Sequence, residues 1–183
     1  MIATGELTKT MRDEDLSFEE LYDRHFAAVN RYLRYRVVSI WDADDLTAIV
    51  FMKAMEKYHQ FTGSGSFISW LFRITHNTMV DYFKMKKDIP SDLSYVMRTD
   101  SITNEPEEIT LYGEEVALLR ELILKLPGEQ RDVLSLRYAG ELRFKQIGEV
   151  LGKHEGAVRT IHHRALKQLR SMFAERGAVP DER

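Results

Sequence analysis

Residues 143–170, RFKQIGEVLGKHEGAVRTIHHRALKQLR, constrain the fold more than any other stretch of this 183-residue chain. Ile147, Leu151, Val158, Ile161, Ala165 and Leu169 recur at helical spacing and predict two helices whose apolar sides face one core. Gly152 falls where the first helix must stop, a place where positive φ is needed and glycine adopts it at least strain. Gly148, four residues earlier, carries no side chain and predicts a close approach of the two helices. Val158 is the apolar plug supplied by the second helix. A small residue, a turn glycine and a β-branched plug at these intervals are the signature of a DNA-binding helix-turn-helix. The competing reading is an ordinary helical hairpin with a solvated basic face.

The polar side of the second helix favours the first reading. Arg159, His163, Lys167 and Arg170 form one stripe, with Thr160 and Arg164 beside it. Residues 143–172 hold seven Lys/Arg against two acids, inside a chain whose net charge is −3. Such a local excess is what a phosphate-binding surface requires. Two residues depart from the best versions of the motif. Lys153 takes a turn position that is usually apolar, and His154 stands where a Ser or Thr N-cap is expected.

Charge is arranged in blocks elsewhere too. Residues 62–87 are net +3, residues 88–115 net −7 and residues 116–183 net +4, so an acidic strip separates two basic ones. Apolar content of 44% suffices for folded cores. Cysteine is absent, which excludes disulfides, thiol catalysis and cysteine-ligated zinc. The six histidines (25, 59, 76, 154, 162 and 163) make no metal-binding spacing, and neither a phosphate loop nor an activated nucleophile is present. No enzyme, metal or cofactor is therefore expected. Without a signal peptide core or a run of roughly 20 apolar residues, a cytoplasmic protein with no membrane association is expected.

Taken in order, residues 1–16 read as a flexible polar leader. Ser17 and Glu20 make a capping box, and Phe18, Leu21, Tyr22, Phe26, Val29 and Leu33 predict a helix to about Val38. Asp42, Asp44 and Asp45 open a second helix, where the dipole favours acids, and Leu46, Ile49, Val50, Phe51, Ala54 and Tyr58 are its apolar residues. TGSGS (62–66) reads as a loop with Ser66 as N-cap of a third helix. There Phe67, Trp70, Leu71, Ile74 and Thr78 can face a core, while Phe72, Tyr82 and Phe83 project elsewhere among Arg73, His76, Asn77, Lys84, Lys86 and Lys87. Aromatics mixed with cations and amides suit unstacked bases, or the aromatics simply close a three-helix core. Residues 88–112 lose all periodicity and run past the usual 12–15 residues of an intradomain connection, which predicts an acidic linker. A helix over 114–126, a second over 129–138 ended by Gly140, and the helix-turn-helix complete a four-helix domain.

The two halves together resemble bacterial RNA polymerase sigma factors of the extracytoplasmic-function group. LLRELILKLPGEQRDVLSLRYAGELRFKQIGEVLGKHEGAVRTIHHRALKQLR resembles region 4 of that family; FEELYDRHFAAVNRYL, DADDLTAIVFMKAMEKY and the frame of Trp70, Leu71, Ile74, Asn77 and Asp81 resemble region 2. The resemblance implies an all-α chain: a leader (1–16), a region 2 domain (17–87), a flexible acidic linker (88–113), a region 4 domain with the helix-turn-helix (114–174) and a tail (175–183). It implies a non-catalytic subunit that binds core RNA polymerase (the β′ clamp helices and the β flap), recognises promoter DNA, opens it and is held in check by an anti-sigma factor. Lys145, Glu155, Arg159, Thr160, His163, Arg164 and Lys167 would meet the −35 element. Gly63, Ser64, Phe67, Arg73, Asn77, Lys84, Lys86 and Lys87 would meet the −10 element, with a base flipped toward the loop between Phe61 and Phe67. Asp44, Asp45, Phe51 and Lys53 would meet polymerase, although Ala48 and Ile49 replace the polar-acid pair usual there. The alternative is a stand-alone helix-turn-helix regulator, which needs a dimer interface and a palindromic site.

Overall fold

The computed structural model describes residues 13, 16–37, 39–61, 65–87, 118–119 and 121–176, with the side chain of Lys87 excepted. The leader apart from Asp13 and Leu16, the linker, the tail from 177, and Gly63 and Ser64 lie outside the described residues. Everything regular among those described is helical. Helix α1 is Phe18–Arg36, α2 is Ile40–Lys57 with a 3₁₀ turn at Tyr58–Gln60, and α3 is Phe67–Lys87. A helical segment at 121–125 then precedes α4 (Gly128–Leu134), α5 (Phe144–Leu151) and α6 (Glu155–Glu175).

The capping signals act locally as read. The Ser17 hydroxyl accepts the Glu20 N–H at 3.3 Å, and the Glu20 carboxylate accepts the Ser17 N–H at 2.8 Å. A cap of this kind stabilises a helix by about 1 kcal/mol. Ser39 caps α2 by accepting the Asp42 N–H at 3.2 Å. Leu21, Val29, Leu33, Val50, Ala54 and Leu71 are fully buried where the first three helices meet, and Tyr22, Phe26 and Phe51 form an aromatic cluster at their side. Ile49, expected to face this core, is exposed.

The C-terminal bundle differs from expectation in three respects. First, its apolar residues serve two cores. Ile147 and Val158 join the cluster that continues into the N-terminal bundle, whereas Ala165 and Leu169 pack with Leu122, Ile123, Leu126 and Leu134. The reason is length: a 21-residue helix spans about 31 Å, so the two ends of α6 meet different neighbours. Second, Gly148 admits the turn rather than the facing helix, because a Cβ there would lie 2.5 Å from the Lys153 carbonyl oxygen. Third, the helix expected over 129–138 changes pitch. After Leu134 it widens into a π turn at Ser135–Ala139, closed by Gly140 N–H on the Ser135 carbonyl at 3.0 Å. Gly152 does sit at φ 65°, ψ 36° as the α5 terminator.

The two bundles pack against each other. Phe72, expected to project away, is fully buried with its ring against Gly140, where a Cβ would come within 2.8 Å of it. Tyr32 meets Phe72 edge-on at 5.6 Å, and its hydroxyl lies 3.3 Å from His76 Nδ1. Beside them Arg36 and Asp132 form an ion pair with side chains 8% and 19% exposed. Arg31 donates to the Ala139 carbonyl at 2.7 Å and to Glu141 at 2.6 Å. The Phe72–Gly140, Arg36–Asp132 and Arg31 contacts each take one partner from each bundle.

Candidate nucleic-acid interface

Helix α6 presents the cationic surface. Arg159, Thr160, His163, Arg164 and Lys167 are all exposed on it, Lys145 is exposed on α5, and Glu155 is half-buried at the start of α6. Arg159 is held in place by its neighbours: it donates to Glu155 at 2.5 and 3.1 Å, and its guanidinium lies 4.7 Å from the centre of the Phe144 ring. Arg137 stacks on the same ring at 4.9 Å. A guanidinium fixed this way needs less ordering to engage a phosphate or a guanine edge. The Thr160 hydroxyl donates back to the Gly156 carbonyl at 3.0 Å. His162 points elsewhere, 3.1 Å from the Tyr138 hydroxyl and edge-on to Phe144, with its pKa lowered by burial and then by Arg137. Lys153, the odd residue of the turn, pairs with Glu129 at 2.9 Å and so pins the turn to α4.

On α3 the expected strand-binding residues divide. Arg73, Asn77 and Lys84 are exposed. Lys84 stands 3.7 Å from Asp81. Lys86 is partly neutralised: it pairs with Asp42 at 2.8 Å and lies over the Tyr82 ring at 4.8 Å. Tyr82 also donates to Asp42, and burial followed by this bond pushes its phenol up to about 12. Phe67 is a core residue, 2% exposed and ringed by Tyr58, Phe61, Trp70 and His25.

Next to Phe67 opens a cleft of about 440 Å³ lined by Gln60, Phe61, Gly65, Ser66, Ser69, Trp70, Arg73 and Glu149. Phe61 and Trp70 supply tilted rings 5.5 Å apart, and Arg73 supplies a cation. The buried Ser69 hydroxyl has no hydrogen-bond partner among the described residues. Aromatic walls, a cation and an unsatisfied hydroxyl can stack a base, hold its phosphate and read one polar edge. The sequence reading missed Ser69, whose only signal was a polar residue at a core position of α3.

Of the four residues expected to meet polymerase, Asp45 alone is freely exposed. Asp44 accepts from Asn30 at 2.8 Å and from Arg34 at 3.2 Å, and these bonds, Asn30 first, lower its pKa. Phe51 is 5% exposed, and Lys53 donates to the Thr78 hydroxyl at 3.2 Å. The outer face of α2 instead exposes Ile49, Met52, Met55 and, near its start, Trp41 at 76%. A contiguous apolar face of this kind marks an interaction surface. Its sequence signal was an apolar count on α2 too high for one buried face.

A helix-turn-helix with an exposed cationic face, beside a bundle bearing an aromatic and cationic cleft, is the arrangement expected of a nucleic-acid-binding protein. Comparison with known proteins specifies it further. The Sigma-70 region 2 model matches residues 21–88 and the Sigma-70 region 4 model residues 122–171, together well over half the chain. The ECF RNA polymerase sigma factor BldN of Streptomyces coelicolor is 29% identical over 161 residues, covering 87% of this chain and 61% of that protein, which is therefore considerably longer. RNA polymerase sigma factor YlaC of Bacillus subtilis is 29% identical over 158 residues, covering 84% of this chain and 90% of its own. The sigma factor RpoE from Bartonella quintana, solved with the anti-sigma factor NepR, shares the fold at a TM-score of 0.64 and 21% identity, covering 86% of this chain and 96% of that one. The chain belongs to the sigma-70 family of RNA polymerase sigma factors, in the extracytoplasmic-function group. Its family consists of DNA-binding initiation factors, and no helix among the described residues is long and apolar enough to cross a membrane.

Proposed function

We propose that this protein binds core RNA polymerase in the cytoplasm, brings it to promoters and opens them, without catalysis of its own. Region 2 and region 4 matches in this order on one chain carry the reading. Region 4 sets α6 in the major groove of the −35 element, with Arg159, Thr160, His163 and Arg164 toward base edges and phosphates and with Lys145, Glu155 and Lys167 fixing its register. Region 2 takes an unstacked base of the −10 element against the Phe61 and Trp70 rings, with the Ser69 hydroxyl on its edge, while Arg73, Asn77, Lys84 and Lys87 follow the backbone. Extruding a base costs a few kcal/mol, which stacking at about 1–3 kcal/mol per base offsets.

The β′ clamp helices dock on the outer face of α2, where Asp45 flanks Ile49, Met52 and Met55. The β flap docks on the C-terminal bundle, where Leu119, Ile123, Leu134, Tyr138, Leu166 and Leu169 line an apolar cleft of about 320 Å³. An anti-sigma factor is the expected regulator, since the fold is shared with a sigma factor solved in complex with one. A stand-alone repressor would have no use for region 2. The test is in vitro transcription by purified core polymerase over a promoter library. Initiation at new sites only when this protein is added supports the proposal, and an unchanged start-site profile refutes it.

A further inference from the structure

We propose that Phe144 and Glu155 are positioning residues for Arg159, and that Arg159 so held reads a guanine edge rather than a phosphate. This rests on the reading of α6 as the helix that enters the −35 major groove. Phe144 opens α5 and Arg159 lies just past the first turn of α6, so ring and guanidinium come from the two helices of the motif. The ring is held independently of Arg159. It is half-buried, meets His162 at 5.1 Å in an edge contact and has the Arg137 guanidinium 4.9 Å from its centre. His162 is in turn 3.1 Å from the Tyr138 hydroxyl, and Arg137 donates to the Leu142 carbonyl at 2.8 Å. The Arg159 guanidinium, 4.7 Å from the ring centre, therefore rests on a ring that its other neighbours fix.

Glu155 supplies the second hold. One of its oxygens, Oε1, accepts from Arg159 Nε at 3.1 Å and from Nη2 at 2.5 Å. An arginine carries five N–H donors in a rigid fork, and the pair at its far end, one on each Nη, matches guanine O6 and N7. Glu155 takes the Nε side and leaves that far pair directed away from itself. The carboxylate also offsets the charge that draws a guanidinium to phosphate and itself repels phosphate, whereas the directional bonds to a base remain. With side chains 59% and 41% exposed, the ion pair alone would fix little. The Phe144 ring makes the difference, because it adds a contact that solvent and salt screen less.

The test is promoter selection by wild-type and variant holoenzymes, each assembled with core polymerase, from one pool randomised across the −35 element. Wild type is expected to favour guanine at one position, and Arg159→Ala to lose that preference. Phe144→Leu, which removes the ring and keeps an apolar side chain, should cut the preference about tenfold, whereas Phe144→Tyr should retain it. Glu155→Gln should cut it too, and should steepen the salt dependence of promoter binding by roughly one phosphate contact, since the freed charge turns to the backbone. In the Arg159→Ala background neither replacement should change the preference further. An equal loss on every promoter sequence in Phe144→Leu marks a merely structural ring and overturns the proposal. If that variant does not fold, Glu155→Gln decides by the same readout. A guanine preference intact in Glu155→Gln, or in Arg159→Ala, also overturns the proposal and leaves the sigma-factor reading standing. Absence of any selected start site with the wild-type protein overturns the proposed function and this assignment with it.

Discussion

Asp132→Ala separates two roles that the bundle interface can have. The Arg36–Asp132 pair lies between α1 and α4, with side chains 8% and 19% exposed. Removing one member of a buried pair strands the other charge, at a cost of about 3–5 kcal/mol. Asp132 keeps some contact with water, so the lower end applies, about 3 kcal/mol, or roughly 150-fold in an equilibrium. If the interface is a latch, Arg36 escapes the cost by separation of the bundles, which rehydrates it, and each bundle stays folded. Labels at Glu56→Cys and Ser171→Cys, both at exposed positions, report the separation by energy transfer. Transfer should fall in Asp132→Ala with little change in helical signal. The double replacement Arg36→Met with Asp132→Leu should restore it, because an apolar pair of similar volume suits a buried site as well or better. Unchanged transfer together with a large drop in thermal midpoint would refute the latch and make the pair a stabiliser of a single fold.

Acid should loosen the structure at mild pH. Burial, named first among the causes, lowers the pKa of both His25 and His76 below the usual 6.5, so both are neutral in the fold. Stability from this source is complete above pH 6.5 and declines as pH falls from there toward the folded-state values. Urea midpoints should therefore drop between pH 7.5 and 5.5, and a rise over that interval contradicts the assignment. Gly148→Ala should cost about 1–3 kcal/mol by thermal denaturation, because its Cβ would meet the Lys153 carbonyl at 2.5 Å and the turn backbone must shift. Wild-type stability in this variant would mean that the turn is not tightly packed. Ile49→Glu should weaken core polymerase binding at least tenfold in a pull-down while leaving the melting curve within about 0.5 kcal/mol of wild type. Full binding would move the polymerase surface off α2.

What could be read from the chain followed from local rules. A capping box, a turn glycine and a β-branched plug depend on neighbours within a few residues, so Ser17, Gly152 and Val158 stand where periodicity put them. What escaped depends on contacts between distant parts. Phe72 meets Tyr32 within the N-terminal bundle, and Gly140 of the other bundle lies against the rest of its ring. Ile49 has the period of a core residue and the exposure of a contact residue, a choice that periodicity cannot make. The π turn after Leu134 has no composition signature, since Ser135–Ala139 would continue an α-helix equally well. For the candidate site, the cations expected on the second helix of the motif are exposed on α6, and Phe61 and Trp70 line the cleft beside α3. Nothing along the chain indicated that Lys86 is spent on Asp42, or that Arg73 meets Glu149.

The most direct test of two halves reading two promoter elements is a paired footprint on one promoter selected with core polymerase. Arg164→Ala should lose upstream protection and keep polymerase binding, whereas Asn77→Ala should keep upstream protection and lose permanganate-reactive thymines near −10. Equal loss of both signals in both variants, or strand opening unaffected by Asn77→Ala, would contradict the account.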